Sequence, residues 1–374
     1  MRIGLDMHVV DGLFQGSRTH VIELFSRVAS LCPDFEFVAL LGAVDRLKTD
    51  YPAFSLPNVR VEKLAVTGPV RRLMWELPRL QRKLKLDLLH LQYILPLPSL
   101  SPTVVTIHDV LFESHPEYFT PVFRWRSRLL MRLAAKQARH VFTVSAFSKK
   151  EICTRFGLDP GQVTITPNSA DAKRFFPGKD GDEIVAKRGL TSGNFFLSVG
   201  RLEPRKNHVT LLKAYVRLGA NAPKLVVVGQ KDFGFEAMLA EIAGSQAKHR
   251  IMVLEDVSDA ELPSLYRHCL AFVYPSLAEG FGMPPLEAMA SGVPVIAADN
   301  TSLTEVVDKA GILVASQDVA ALSKAMQDVA QDPVLRMRLV AAGLEQTQSF
   351  SWDRSAATVA ARYRQIESTQ RGGT

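Results

Sequence analysis

The chain has 374 residues, of which 47% are hydrophobic and 22% charged, and its formal net charge is +7. This composition excludes a disordered chain, and the length exceeds what one hydrophobic core usually supports, so we expect a globular protein of two domains. Cys32, Cys153 and Cys269 are too far apart for a metal or redox motif, which predicts free thiols in a reducing cytoplasm. Asp6 interrupts the apolar N-terminus, and no apolar run reaches about 18 residues, so we expect neither a signal peptide nor a membrane span. The expected location is the cytoplasm.

The positive charge is concentrated in the first half of the chain. Residues 1–178 contain 24 Lys and Arg against 16 Asp and Glu, whereas residues 179–374 contain 21 against 22. Much of the excess lies in two segments that mix basic residues with Leu, Met and Trp, 71–85 and 124–140. Such helices suit a peripheral contact with an anionic membrane, here the inner face of the cytoplasmic membrane. The alternative is a surface helix whose Lys and Arg stems cover apolar neighbours. No nucleic-acid-binding motif accompanies the charge, so a nucleic-acid partner is not expected.

Short apolar runs, taken in chain order, predict the strands. In the first half these are RIGLDMHV, EFVALLG, VRVEKLAV, LDLLHLQY, TVVTIHDV, HVFTVSA and QVTITPN. In the second half they are NFFLSVG, KLVVVGQ, RIMVLEDV, LAFVYPS, VPVIAAD and ILVA, and they alternate with helical stretches of about 10 to 15 residues. Buried strands rich in Val, Ile and Leu that alternate with helices predict an α/β protein with doubly wound parallel sheets.

A polar, glycine-containing segment at 177–193 predicts the boundary between two domains. Residues 1–178 then form the first domain, residues 179–350 the second, and residues 351–374 a C-terminal helix that packs back towards the first. Because doubly wound sheets bind ligands at the carboxyl ends of their strands, we expect those ends to face a cleft between the domains.

The stretch SVGRLEPRKNH (198–208) follows one predicted strand and precedes a helix. Arg201, Arg205 and Lys206 are basic residues near a helix N-terminus, where they oppose the helix dipole and therefore need another reason to be present. Fixed cations combined with a helix N-terminus favour an anion site, and a diphosphate is the obvious ligand.

The stretch SLAEGFGMPPLEAMASG (276–292) has the same place in another strand–helix unit. Gly282 allows a close backbone approach to a ligand, and we expect Glu287 in the first turn of the helix with Glu279 in the loop before it. One carboxylate there could be only a partner of the helix dipole. Two carboxylates beside a cationic loop favour acceptors for vicinal hydroxyls of a ribose or a sugar ring.

Together these stretches resemble the retaining glycosyltransferases of the GT-B fold, specifically glycosyltransferase family 4. SVGRLEPRKN, EGFGMPPLEAMASGVPVIA and SLTEVVDKAGILV stand in the order of that family. Four further motifs lie at the expected places, TIHDV (106–110), VSAFSKKEI (144–152), PNSAD (167–171) and FSWDRSA (350–356). The resemblance therefore covers essentially the whole chain. It implies two Rossmann-like domains around a central cleft, the first binding an acceptor and the second a nucleotide-sugar donor.

The resemblance also implies roles for side chains of the second domain. Arg201 and Lys206 match the pair that neutralises the donor's diphosphate. Glu287 matches the residue that holds the ribose hydroxyls, and Glu279 matches the carboxylate beside the donor sugar. Backbone amides would come from three neighbouring residues, Phe281, Gly282 and Met283.

In the first domain, His108 of TIHDV matches the histidine beside the transferred sugar, and the alternative is a packed histidine at a strand end. The family usually has a Gly-Gly pair near the N-terminus, whose amides approach the phosphate. Here Gly16 is followed by Ser17, so one glycine of that donor-binding pair is kept. The expected catalytic residues are thus His108, Arg201, Lys206 and Glu279.

The expected co-substrate is a nucleotide sugar, with no further cofactor and no metal. Asp180 and Asp182 of KDGDE are similar to the metal-binding signature of a different glycosyltransferase fold, but they lie in the predicted linker and not at a strand end. The stretch TIHDVLFESHPEYFTPVFRWRSRLL resembles mannosyl- and related transferases that build bacterial surface polysaccharides. This favours GDP-mannose as donor over a UDP-hexose, a saccharide or lipid-linked oligosaccharide as acceptor, and transfer with retention of configuration.

Two other functions stay open at this point. A sugar-nucleotide epimerase can share the architecture, but no convincing set of acid and base residues for it is evident. A non-catalytic sugar-nucleotide binding protein would have lost some of the matching residues, all of which are present. A dinucleotide-dependent dehydrogenase is excluded because no G-x-G-x-x-G motif opens the first strand–helix unit.

Overall fold

The computed structural model describes residues 1–11, 16–65 and 68–372, without the side chains of residues 45 and 46. The chain divides into two units. The first unit consists of Met1–Asn168 and Ser351–Thr374, and the second unit is Ser169–Phe350.

Every apolar run that predicts a strand forms one. The first unit contains β1 (Arg2–Asp6), β2 (Glu36–Leu41), β3 (Val59–Lys63), β4 (Leu88–Gln92), β5 (Thr103–Thr106), β6 (His140–Thr143) and β7 (Val163–Ile165). The second unit contains β8 (Phe195–Val199), β9 (Lys224–Val228), β10 (Ile251–Leu254), β11 (Ala271–Tyr274), β12 (Val295–Ala298) and β13 (Ile312–Val314).

Helices alternate with these strands. In chain order they are α1 (Gly16–Leu31), α2 (Val44–Asp50), α3 (Pro69–Arg71), α4 (Leu77–Leu84), α5 (Leu111–Ser114), α6 (Pro121–Gln137), α7 (Ala146–Phe156), α8 (Asp182–Lys187), α9 (His208–Val216), α10 (Glu236–Gly244), α11 (Leu262–His268), α12 (Met283–Ala290), α13 (Leu303–Val306), α14 (Val319–Gln331), α15 (Pro333–Thr347) and α16 (Trp352–Gly372). A π-helical turn, Arg72–Glu76, joins α3 to α4, so residues 69–84 form one continuous helical segment. Short 3-10 turns include His8–Val10 and Pro204–Lys206.

Both sheets are parallel and doubly wound, as predicted. The order is β3-β2-β1-β4-β5-β6-β7 in the first unit and β10-β9-β8-β11-β12-β13 in the second. Leu5 of β1 pairs with Ala39 on one side and His90 on the other, and Phe272 of β11 pairs with Leu197 and Val295. The strand order reverses between β1 and β4 and between β8 and β11. At such a reversal the helices leave on opposite faces, which opens a crevice at the carboxyl ends of the two strands.

The boundary between the units lies at Asn168 and Ser169, so the linker predicted at 177–193 is wrong. Within that segment α8 buries Val185 completely. Arg267 of α11 donates to the backbone oxygens of Phe176 and Asp180, which fixes the segment to the second unit. The polar composition of residues 177–193 is that of an exposed segment, which is why it resembled a linker. Hydrogen bonds from Arg267 to its backbone instead make it part of the second unit.

The sheet of the first unit carries a different layer on each face. On one face α1 and α16 pack together, and Tyr363 Oη of α16 lies 2.6 Å from Nδ1 of the buried His90. On the other face α4, α6 and α7 share one apolar cluster with the strands, to which Leu80, Met131 and Ile152 contribute. Residues 351–374 thus complete the first unit.

A buried ion pair ties the helical segment 69–84 to the carboxyl end of β1. Arg72 Nη1 donates to both carboxylate oxygens of Asp6, at 2.9 and 2.6 Å, and the two side chains are 10% and 1% exposed. Burial alone would raise the pKa of Asp6, but His8 and Arg72 outweigh it and hold that pKa below its ordinary value.

Arg72→Met should therefore destabilise the first unit. The substitution leaves the Asp6 carboxylate buried without its cation, which costs about 3–5 kcal/mol. All three tryptophans, Trp75, Trp125 and Trp352, lie in this unit, so urea unfolding followed by tryptophan fluorescence reports on it alone. The exposed neighbour Arg71→Met is the matched control and should shift the midpoint little. Equal midpoints for the two variants would contradict a stabilising role of the pair.

Candidate active site

The basic loop after β8 is fixed to the end of β11. Arg201 lies two residues beyond β8, and Lys206 ends the turn Pro204–Lys206, one residue short of α9. Between that turn and α9, Asn207 adopts a left-handed conformation with φ 58°. Its side-chain amide donates to the carbonyl oxygen of Pro275 at 3.0 Å and to that of Ser316 at 2.6 Å. The loop therefore has one defined position at the reversal of strand order.

Glu279 lies at the centre of the site, and its side chain is 11% exposed. Its Oε1 accepts three hydrogen bonds, from Lys206 Nζ at 2.6 Å, Tyr274 Oη at 2.8 Å and Ser276 Oγ at 2.6 Å. Its Oε2 lies 3.1 Å from Arg205 Nη1. One carboxylate oxygen is thus surrounded by donors, whereas the other has lone-pair capacity left for a further donor.

Burial and the neighbouring charges act in opposite directions on the pKa values of Glu279 and Lys206. Burial alone would raise the pKa of Glu279, but the charges of Arg205 and Lys206 and the hydrogen bonds to the carboxylate hold it at about 2. Burial lowers the pKa of Lys206 even though Glu279 opposes that change. Glu279 is thus compensated by Arg205 and Lys206 together, and Glu279 in turn offsets part of the cost of burying Lys206.

The three cations of the basic loop do not act alike. The family resemblance pairs Arg201 with Lys206, whereas the structure brings Arg205 and Lys206 together on Glu279. Arg201 instead forms an ion pair with Asp232, and the two side chains are 38% and 32% exposed. Arg205 also donates to the carbonyl oxygen of Ala278 at 2.7 Å. Its place against Glu279 was not predicted, because the family motif assigns no role to it.

A polar segment after β12 holds the loop that carries Glu279. The backbone N–H of Glu279 donates to Thr301 Oγ1 at 3.0 Å. Ser302 Oγ lies 2.8 and 2.7 Å from the carbonyl oxygens of Glu279 and Phe281, and its single hydrogen is shared between these two acceptors. Asn300 Nδ2 donates to the carbonyl oxygen of Ser276 at 2.9 Å. This supporting role was not predicted, although the sequence has three polar residues just after β12, a strand that adjoins β11.

The turn into α12 requires glycine at position 282. Its φ is 116°, and a Cβ there would lie 2.8 Å from Leu303 Cδ2. Pro284 and Pro285 follow within the first helical turn and have no N–H group. Of the amides at this helix start, Met283 therefore supplies the first available donor. Phe281, directly before the turn, is buried with its ring against Phe350.

Glu287 lies in the second turn of α12, so the prediction of the first turn is wrong. The helix begins at Met283, because Gly282 is the left-handed cap. A dipole interaction at the helix start consequently does not explain Glu287. Burial raises the pKa of Glu287 to about 7, and Tyr266 and the charge of Arg174 offset only part of that effect. Glu279 and Glu287 therefore differ strongly in acidity although they share one strand–helix connection.

In the first unit, His108 lies just beyond β5 and is 8% exposed. Its Nε2 is 3.0 Å from Oε1 of Gln92, the last residue of β4. As assigned, the amide oxygen of Gln92 accepts, which places the proton on Nε2 and leaves Nδ1 as an acceptor. Burial, with His20 and His90 nearby, holds the pKa of His108 well below its ordinary value. His108 is therefore a neutral imidazole near neutral pH.

Gly16 and its surroundings are only partly described, since residues 12–15 fall outside the described ranges. Gly16 is the first residue of α1, and a Cβ built there meets no atom of the described residues within 4 Å. Packing within those residues does not require glycine at this position. Further along α1, Nδ1 of the buried His20 is 2.7 Å from Asn168 Oδ1, and the His20 ring contacts that of His108 edge-on at 4.6 Å.

Within residues 1–11, 16–65 and 68–372 no three His, Cys, Asp or Glu side chains are grouped so that they could hold a metal ion. No helix in the same ranges is long and apolar enough to cross a membrane.

Comparison with known families gives a match on each half of the chain. Residues 180–346 match the family described as "Glycosyl transferases group 1". Residues 14–174 match the family described as "Glycosyltransferase Family 4".

Curated relatives and solved structures are similar over most of the chain. The "O-antigen chain mannosyltransferase B" of Escherichia coli is 34% identical over 260 residues, which are 68% of this chain and 68% of that protein. The "O-antigen chain mannosyltransferase RfbU" of Salmonella typhimurium is 27% identical over 297 residues, 76% of this chain and 78% of that protein.

Among solved structures, a sucrose-phosphate synthase from Thermosynechococcus elongatus superposes with a TM-score of 0.81 at 22% identity, covering 99% of this chain and 100% of that one. Anabaena Alr3699/HepE, solved with UDP and glucose, gives 0.77 at 19% identity, covering 98% of this chain and 100% of that one. These likenesses identify the fold as GT-B.

The raised pKa of Glu287 predicts a pH-dependent stability of the second unit. A carboxyl whose pKa is raised from 4.5 to about 7 stabilises the fold most below pH 4.5 and loses that contribution as pH rises through 7. Glu287→Gln should therefore be more stable than the wild type at pH 8, by about 3 kcal/mol, and this advantage should shrink as pH falls.

The free energy of unfolding can be followed by hydrogen exchange of amides in β11 and β12, which belong to the second unit. Glu345→Gln, an exposed substitution in α15, is the control and should match the wild type at each pH. A pH-independent difference between Glu287→Gln and the wild type would show that Glu287 is ionised with an ordinary pKa.

Proposed function

The chain belongs to glycosyltransferase family 4, and we propose that it transfers mannose from GDP-mannose to a saccharide or lipid-linked oligosaccharide acceptor with retention of anomeric configuration. The observation that carries the proposal is the cluster of Arg205, Lys206 and Glu279 at the carboxyl ends of β8 and β11, where the strand order reverses. Crevices of this kind are where doubly wound sheets bind nucleotides.

Lys206 is suited to a donor's diphosphate. An ammonium group has three N–H donors, and two of those on Lys206 are directed to Tyr274 Oη and Glu279 Oε1. The third would donate to a phosphate oxygen of the donor. Because Glu279 balances the lysine in the free protein, the cation is kept buried and ready for the phosphate with little reorganisation.

Glu279 and Glu287 are proposed to hold the two sugars of one donor. Glu279 Oε2, which lies 3.1 Å from Arg205 Nη1, would accept a hydroxyl of the transferred hexose. The carboxylate at Glu287 would accept the ribose hydroxyls, which compensates for its burial by charge-assisted hydrogen bonds. Arg201 would reach the diphosphate after leaving Asp232, and the amides at 281–283 would face the same group.

The proposed chemistry needs charge stabilisation and no protein nucleophile. When the bond from the anomeric carbon to the diphosphate breaks, negative charge develops on the β-phosphate, and Lys206 and Arg201 would stabilise it. The acceptor hydroxyl would attack from the face that the diphosphate leaves, and a diphosphate oxygen would take its proton. The new glycosidic bond then retains the configuration. These side-chain cations are proposed to take the place of a divalent metal, and neutral His108 would lie beside the transferred sugar.

The choice of mannose rests on the relatives. Both of the O-antigen enzymes described above are named mannosyltransferases, and one of them is 34% identical. A UDP-hexose is the second candidate, since HepE, which shares the fold at 19% identity, was solved with UDP and glucose.

Lys206→Ala should lower kcat/KM for the donor by about 10²–10³, because one contact to the developing phosphate charge is lost. The assay is release of nucleoside diphosphate in EDTA from GDP-mannose, UDP-glucose, UDP-galactose and UDP-N-acetylglucosamine, with a mannose-containing saccharide as acceptor. Lys213→Ala, at an exposed position of α9, is the matched control and should act like the wild type.

The outcomes separate the parts of the proposal. Release from a UDP-sugar in place of GDP-mannose would overturn the choice of donor. Dependence on a divalent metal would contradict the role given to the cations. Full activity of a folded Lys206→Ala protein would remove Lys206 from the mechanism.

Asp232→Asn should bind the donor more tightly than the wild type. In the free protein Asp232 competes for Arg201, and an exposed ion pair of this kind contributes up to about 1 kcal/mol, or roughly fivefold in affinity. Calorimetric titration with GDP-mannose measures the change. Asp256→Asn, which removes another exposed partner of an arginine, is the control. Weaker binding by Asp232→Asn would mean that Asp232 positions Arg201 for the phosphate and does not withhold it.

A further inference from the structure

Two of the three tryptophans lie on the surface of the first unit. Trp75 is 75% exposed and Trp125 is 70% exposed, whereas Trp352 is buried. Exposed apolar patches that are surrounded by polar residues mark sites of interaction with proteins or membranes. Both exposed tryptophans belong to helical segments that are rich in basic residues.

Each tryptophan is part of an apolar stripe on its helix. Trp75 lies beside Val70 and Met74 in the segment 69–84, and these two residues are 66% and 50% exposed. Trp125 lies three residues after Val122 and four before Leu129 in α6, which are 77% and 54% exposed. Spacings of three and four place the three residues of α6 on one side of that helix. In the segment 69–84 a spacing of four joins Val70 and Met74, and Trp75 follows Met74 directly, so there the stripe is defined by the exposure of its side chains.

Both helices belong to the same layer of the first unit. The inner sides of α4 and α6 contribute to one apolar cluster on one face of the sheet, with Leu80 and Met131 as examples. Their outer sides consequently face outward on the same side of that sheet. The loop between β4 and β5 extends the apolar surface, since Leu97 and Leu100 are exposed and the Leu97 N–H donates to the carbonyl oxygen of Leu73 at 3.2 Å.

Basic side chains surround both stripes. Arg71 and Arg79 lie four residues before and after Trp75, and α6 carries five basic residues and no acidic one. Several of these cations form no ion pair with any described residue: Arg71, Arg79, Arg82, Arg126, Arg132 and Lys136. If the arginine stems only covered apolar neighbours, the tryptophans would not be exposed to this extent.

We propose that this surface docks onto an anionic lipid bilayer. We name it the lipid-docking surface, and it consists of Val70, Met74, Trp75, Leu97, Leu100, Val122, Trp125 and Leu129 with the surrounding basic residues. Tryptophan rings favour the boundary between headgroups and acyl chains, and unpaired Arg and Lys are attracted to anionic headgroups. An acidic protein or polymer would satisfy the cations but would leave two separate tryptophan stripes exposed. The inference does not rest on the proposed transfer reaction.

The first experiment is vesicle flotation of the full chain. The protein should float with vesicles of phosphatidylcholine and phosphatidylglycerol and remain unbound with phosphatidylcholine alone. Trp75→Ala/Trp125→Ala and Arg71→Glu/Arg126→Glu should each lose at least tenfold in partitioning. Matched controls in the second unit are Val334→Ala/Met337→Ala, at positions 69% and 65% exposed on α15, and Arg338→Glu. The controls should bind as the wild type does.

The second measurement uses the tryptophans themselves as reporters. On addition of the anionic vesicles the emission should shift to shorter wavelength and be quenched by lipids brominated near the headgroup end of the acyl chain, because Trp75 and Trp125 enter the interface. Trp352 stays buried and should not respond. Trp75→Phe/Trp125→Phe removes the signal and preserves apolar area.

Three results would overturn the proposal. One is equal flotation with neutral and anionic vesicles, and another is no flotation at all. The third is loss of binding by the arginine variant with no effect of the tryptophan variant and no quenching, which would assign the surface to an acidic polymer. Unchanged urea midpoints of the variants show that a loss of binding is not a loss of folding.

Discussion

The buried contact between Lys206 and Glu279 is the interaction on which the candidate site depends. Burial lowers the pKa of Lys206 and would raise that of Glu279, and the ion pair, together with Arg205, offsets the cost of burying these charges. The two residues are 73 positions apart in sequence, and they meet only because β8 and β11 are neighbours in the sheet. The chemistry therefore depends on the reversal of strand order, and any change that separates these strands leaves two unpaired ions.

Two glutamates that follow β11, Glu279 in the loop and Glu287 in α12, have pKa values shifted in opposite directions. Donors and cations around Glu279 hold its pKa at about 2, whereas at Glu287 desolvation outweighs Tyr266 and the charge of Arg174 and raises the pKa to about 7. A fixed anion at one position and a carboxyl that ionises near neutrality at the other are suited to different ligand groups. The first is already compensated by the protein, whereas the second gains its compensation when hydroxyl donors are present.

The positions of the strands could be predicted from the sequence, but the contacts between the loops that follow them could not. Buried parallel strands form short apolar runs that can be recognised one by one, and each predicted run became a strand. Which loops meet depends on strand order, so the place of Arg205 against Glu279 and the support from Thr301 and Ser302 could not be read from spacing. The boundary was misplaced for a related reason. A polar segment with glycines looks like a linker until its hydrogen bonds to Arg267 are known.

The basic helices illustrate what only packing can decide. Sequence alone allowed the arginines either to cover apolar neighbours or to leave them free for a partner. In the segment 69–84, Leu77, Leu80 and Leu84 occupy the side that meets the sheet, which leaves no buried place for Trp75. A doubly wound fold has its ligand site at the carboxyl ends of the strands, and each helix packs only its inner side against the sheet. The outer sides are thus free to serve a different purpose, and here their apolar and basic residues match the two parts of an anionic membrane interface.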